Sequence, residues 1–84
     1  METTLAYLRE ALSNYLDYHN DIPSHIYHKL LEKPYANEEE FVRHLSQKEA
    51  AFLNHVLPYE IHYAMNEQDM KRAHQLNEVY EQLL

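Results

Sequence analysis

Residues 37–56 read NEEEFVRHLSQKEAAFLNHV, and this stretch decides the fold. Phe41, Val42, Leu45, Phe52, Leu53 and Val56 recur at intervals that gather on one side only when the chain turns about 100° per residue, as a helix does. Asn37 followed three residues later by Glu40 matches a capping box, and Glu38 and Glu39 fall in a first turn, where the helix dipole favours negative charge. A helix is therefore predicted from Asn37. Pro58 has no amide hydrogen and crowds the carbonyl of Asn54, so this helix is predicted to kink or end near Leu57.

The same periodicity extends in both directions. A first helix is predicted from about Thr4 to His19, with Leu5, Leu8, Leu12, Tyr15, Leu16 and His19 in one arc. Tyr7, Ala11, Asn14 and Tyr18 form a second stripe, which either packs centrally or faces a partner; central packing suits tyrosine, whose ring packs with its hydroxyl at the edge. Asn20, Asp21 and Pro23 start a short helix through about Lys33, with Ile26, Leu30 and Leu31 inward, and Pro34 stops it. Beyond Pro58, a short helix carries Tyr59, Ile61, Ala64 and Met65. Asn66 with Asp69 resembles an N-cap with an acidic first turn, and Met70, Ala73, Leu76, Tyr80, Leu83 and Leu84 line a last helix.

The expectation is one all-α domain over residues 1–84, a small bundle of four helices, or five if the segment after Pro58 counts separately. Its core is predicted around Leu8, Leu12, Leu30, Phe41, Leu45, Phe52, Val56, Leu76 and Tyr80. The chain has no glycine, against roughly six at the usual frequency of about 7%. Right-handed connections are therefore expected, with no glycine-capped helix and no glycine-rich phosphate cradle.

Hydrophobic residues make up 45% of the chain and charged residues 25%, a globular composition. With no cysteine there is no disulfide, thiol nucleophile or thiolate metal site. The opening METTLAYLREAL has no basic n-region followed by an apolar run, and no stretch approaches a membrane span, so a cytoplasmic protein is expected. Formal charge is −7, and Arg43, Lys48, Lys71 and Arg72 are scattered among acids. Direct nucleic-acid binding is therefore disfavoured. The seven histidines would cancel about half of that charge near pH 6.5.

Glu49 is the unusual polar residue on a core face. Buried alone its pKa would rise, and it is read first as a structural carboxylate held by Arg9, Lys48, a tyrosine or a histidine. His25 with His28, His55 with His62 and Glu40 with His44 lack the spacing of a strong metal motif, so no metal site and no cofactor are expected. Ser13, Ser24, Ser46, Thr3 and Thr4 sit at caps or on helix surfaces without a recognisable base, so the chain is not read as an enzyme.

Glu38, Glu39, Glu40 and Glu60 suggest an acidic surface for a basic partner, with Tyr59 and Tyr63, and Tyr7 and Tyr18, as aromatic anchors. From Ile61, the order Ile61, Ala64, Met65, Asp69 and Leu76 resembles the IDEAL segment of small proteins from Bacillus-type bacteria over residues 61–76. His62, Met65 and Ala73 depart from that motif. The resemblance implies a small bacterial regulatory or accessory protein with no enzymatic activity or cofactor, and carries over no functional residue. The functional expectation is thus a non-catalytic cytoplasmic regulator that binds another protein, in its sharpest form an antagonist covering a nucleic-acid-binding face. A self-associating accessory domain, homodimeric through the first or last helix, is the alternative. A histidine-dependent metal or pH sensor comes third.

Overall fold

A computed structural model describes residues 3–16, 20–32 and 34–83, with no side-chain description for Thr3 and Thr4. Five α-helices follow in order: α1 (Thr3–Leu12), α2 (Ile22–Glu32), α3 (Glu38–Arg43), α4 (Gln47–Asn66) and α5 (Met70–Leu83), with a 3-10 turn at Ser13–Tyr15 after α1. The architecture is all-α, as the periodicity predicts. α4 packs mainly on α5, α5 also meets α1 and α3, and α2 closes the bundle against α1 and α4.

The core lies where these helices meet. Leu5, Leu8, Leu12, Ile26, Leu30, Phe41, Leu53, Leu57, Leu76 and Val79 are buried, and Tyr35 joins them edge-on to Phe41 at 5.1 Å between ring centroids. Of the predicted core, Leu8, Leu12, Leu30, Phe41, Val56 and Leu76 are buried, while Leu45, Phe52 and Tyr80 pack half-buried at its edge. Leu16, Leu31 and Met70, placed on the apolar faces of their predicted helices, are exposed. Each lies near the end of its helix or in the turn beyond, where no neighbouring element covers it.

The predicted boundaries differ in four places, each for a local reason. α1 stops at Leu12 because the Ser13 hydroxyl donates to the Glu10 carbonyl at 2.6 Å, competing with the helix ladder and tightening the chain into the 3-10 turn. The long helix predicted from Asn37 is two helices, because Ser46 starts a new one. Its hydroxyl accepts from the Glu49 amide at 3.1 Å and the Glu49 carboxylate accepts from the Ser46 amide at 2.8 Å, a complete capping box. Pro58 does not end α4. The Asn54 carbonyl it frees lies on an exposed part of the helix where water can reach it, and buried Leu57 and Ala64 hold the helix on either side.

The fourth difference is the α4–α5 corner, which is not right-handed. Gln68 has φ 61°, its amide donates to Met65 and the Asp69 amide to Ala64 at 2.9 Å. This is a Schellman motif with glutamine where glycine is usual. Asp69 then caps α5 through the Arg72 amide at 3.2 Å, the role predicted for Asn66.

Candidate functional site

Glu49 is buried at 6% exposure, but it is not a lone charge. Lys29 Nζ on α2 donates to Glu49 Oε1 at 2.6 Å and to the His44 carbonyl at 2.7 Å. Burial pushes the carboxyl pKa up. The hydrogen bonds from Lys29 and the Ser46 amide, together with the Lys29 charge, outweigh burial and hold the pKa below the usual glutamate value. The expected rise is therefore reversed, and Lys29 takes the place of the partners predicted from sequence. Ser46 and Glu49 are spaced as a capping box, the signal that would have found this arrangement.

The other proposed contact residues fall on separate elements. Glu38, Glu39 and Glu40 form the first turn of α3, where Asn37 accepts from the Glu40 amide at 2.9 Å. Glu39 pairs with Arg43 at 2.5 Å and Glu40 accepts from the Ala36 amide at 2.7 Å, so this cluster starts and stabilises a helix. Glu60 accepts from the Tyr15 hydroxyl at 2.8 Å. Tyr7 lies half-buried beneath the Arg72 guanidinium, 5.5 Å from its ring centroid. Arg72 also bonds Glu10 and Asp69, tying α1 to the start of α5, and these bonds raise its pKa further. Tyr18 lies outside the described residues. Tyr59 and Tyr63 remain 66% and 64% exposed on α4.

A different surface emerges around those two tyrosines. α4 is about 30 Å long at 1.5 Å per residue, equal to the long dimension of the molecule, 30 Å. Its outer face carries Lys48, Ala51, His55, Pro58, Tyr59, His62, Met65 and Asn66, all exposed, without a carboxylate. The helix's own acids lie elsewhere: Glu49 is buried under Lys29 and Glu60 is half-buried on Tyr15. Glu67, at the C-cap, accepts from Tyr63 at 3.3 Å and marks where the acid-free face stops. His55 meets Tyr59 edge-on, ring centroids 5.9 Å apart.

Shallow hollows flank the bundle. One of about 420 Å³ is lined by Ala6, Tyr7, Arg9, Glu10, Ser13 and Tyr27. Another, of about 520 Å³, is lined by Tyr15, Asn20, Phe52, His55, Val56 and Tyr59. Among the described residues, no three His, Asp or Glu converge as metal ligands, and no helix is long and apolar enough to cross a membrane.

This geometry defines the class, a small all-helical protein whose one long outer helix face lacks acids. The chain belongs to the CsgA family, described as minor curli fiber component A, whose model matches residues 1–84. It is also 61% identical over 84 residues to a sigma-G-dependent sporulation-specific SASP protein of Bacillus subtilis (strain 168), covering 100% of both chains. No solved structure matches it. The likeness to a small Bacillus protein thus runs through the whole chain, well beyond residues 61–76. The fiber wording is the family's description.

The relative overturns two expectations. The match to a sporulation-specific SASP protein points away from a regulator that docks on another protein, and the expectation against direct nucleic-acid contact falls with it. Net charge is a weak guide to such contact because −7 sums the whole surface, over which the acids are not evenly spread.

Proposed function

We propose that this protein is a non-catalytic, sporulation-specific small acid-soluble protein that acts inside the sporulating cell by binding and protecting DNA. The observation that carries this reading is the end-to-end relationship to the sporulation SASP protein of Bacillus subtilis. Composition supports it. Fourteen basic side chains, seven Lys and Arg with seven His, remain charged in strong acid while the fourteen carboxylates are neutralised. The resulting high positive charge keeps the chain dissolved. The corner at Ile61–Leu76 that resembles the IDEAL segment is assigned no role beyond turning the chain.

The test has two parts. Acid extraction of spores of the source organism is expected to release the protein, and its absence from that extract would remove it from the class. Spores lacking the gene are expected to suffer more DNA damage under ultraviolet light or dry heat than the parent. Equal damage, together with no binding of purified protein to duplex DNA at pH 6.0 and low salt, would overturn the DNA reading.

A further inference from the structure

We propose that the outer face of α4 docks a second copy of this chain, the two α4 helices packing antiparallel about a twofold axis near Pro58. The inference stands apart from the DNA reading and goes beyond it. In a chain where 25% of residues are charged, the exposed residues of α4 between Lys48 and Glu67 include no Asp, Glu, Lys or Arg. At about 100° per residue, Tyr59 stands near the middle of that face, with Tyr63 and Met65 at its two margins. They are 66%, 64% and 49% exposed. Tyrosine and methionine without charge are the composition of an interface core. The stripes of the first and last helices, expected to pair copies, are instead used within the chain: Ala11, Ala73 and Leu76 are buried, and Tyr7 lies under Arg72.

Charge selects both the occupant and its direction. Two molecules of net charge −7 repel over most of their surfaces, and least where the acids are absent. An identical partner also needs a self-complementary surface. Lys48 and Glu67 lie at opposite ends of the face, equally far from the Leu57–Pro58 bond. A twofold axis there brings each Lys48 to the partner's Glu67 and to the carbonyl end of the partner's α4, where a cation is favoured. Parallel helices would instead set Lys48 against Lys48 and Glu67 against Glu67.

The same axis sets Tyr59 of each copy between His55 and Tyr59 of the other, where rings pack edge to face as Tyr59 and His55 already do within one chain, 5.9 Å between centroids. Glu60, the acid nearest the axis, does not oppose this, because it is half-buried and accepts from Tyr15. A single helix face about 30 Å long is small for an interface, so dissociation at about 10–100 µM is expected.

The experiment is sedimentation equilibrium of the full chain from micromolar to millimolar concentration, without DNA and at low salt. It compares the parent with Tyr59→Glu, Lys48→Glu, Glu67→Lys, the double variant Lys48→Glu/Glu67→Lys, and the control Lys71→Glu on α5, each checked for its helical circular dichroism. The parent should pass from monomer to dimer. Tyr59→Glu sets two carboxylates together near the axis and should raise the dissociation constant at least about tenfold. Lys48→Glu and Glu67→Lys should each raise it about threefold or more, and the double variant should return to within about twofold of the parent. Lys71→Glu makes the same change in net charge as Lys48→Glu and should stay within about twofold. A parent that remains monomeric throughout overturns the proposal, and so does a dimer that Tyr59→Glu leaves intact. A double variant that associates no better than the single ones overturns the antiparallel arrangement.

Discussion

Lys29 Nζ lies 2.6 Å from Glu49 Oε1, joining α2 to the capping box that starts α4. One carboxylate thus closes a helix start and anchors a second helix. Its orientation is fixed by groups from two elements, which leaves the outer side of α4 to solvent.

Removing the cation should therefore cost more than removing the pair. Lys29→Met leaves a buried carboxylate with only its amide partner, and should destabilise by about 2–3 kcal/mol, below the range for fully buried pairs because Lys29 is partly exposed. Urea unfolding of Lys29→Met, Glu49→Gln and the double variant should show a coupling of at least about 1 kcal/mol. Additive effects would mean that the two side chains do not interact in solution.

The same pair sets a pH dependence. The folded pKa of Glu49 lies below its unfolded value, so its contribution is complete above the unfolded value of about 4.3 and is lost as pH falls through the lower folded value. The stability gap between the parent and Glu49→Gln should be constant from about pH 5.5 to 7 and shrink below about pH 4. Denaturant midpoints across that range measure it, and a gap that grows on acidification would reverse the assigned shift.

Pro58 sits inside a 20-residue helix without ending it. Pro58→Ala restores the amide donor to the Asn54 carbonyl and should raise stability by about 1–3 kcal/mol, read as a higher melting temperature.

Gln68 holds φ 61° at the corner between α4 and α5. Gln68→Gly relieves the Cβ crowding of the left-handed conformation and should stabilise by about 0.5–1 kcal/mol, net of the added freedom of the unfolded chain. A loss of stability would mean that the glutamine side chain makes a compensating contact.

Much of the fold was legible because helix periodicity is local. Phe41, Leu53 and Val56 are buried as their spacing predicts, Asn37 caps α3, and the stop at Pro34 follows from proline chemistry. The break at Ser46 was written in Ser46 and Glu49 but masked by an apolar pattern that stays in phase across it. The left-handed Gln68 had no signal, since the residue that normally marks such a corner is absent.

The sequence by itself determined that the chain is helical, lacks glycine-built phosphate loops and cysteine chemistry, and carries twice as many acids as Lys and Arg. Only the tertiary structure decided where those acids go. Glu49 turns in to Lys29, Glu60 to Tyr15, and Glu10 and Asp69 to Arg72, while Lys48, His55, Tyr59 and His62 stay outside on one helix face. Composition sums charge over the molecule, but recognition depends on the potential at one surface, and that is set by which side of each helix the core takes up.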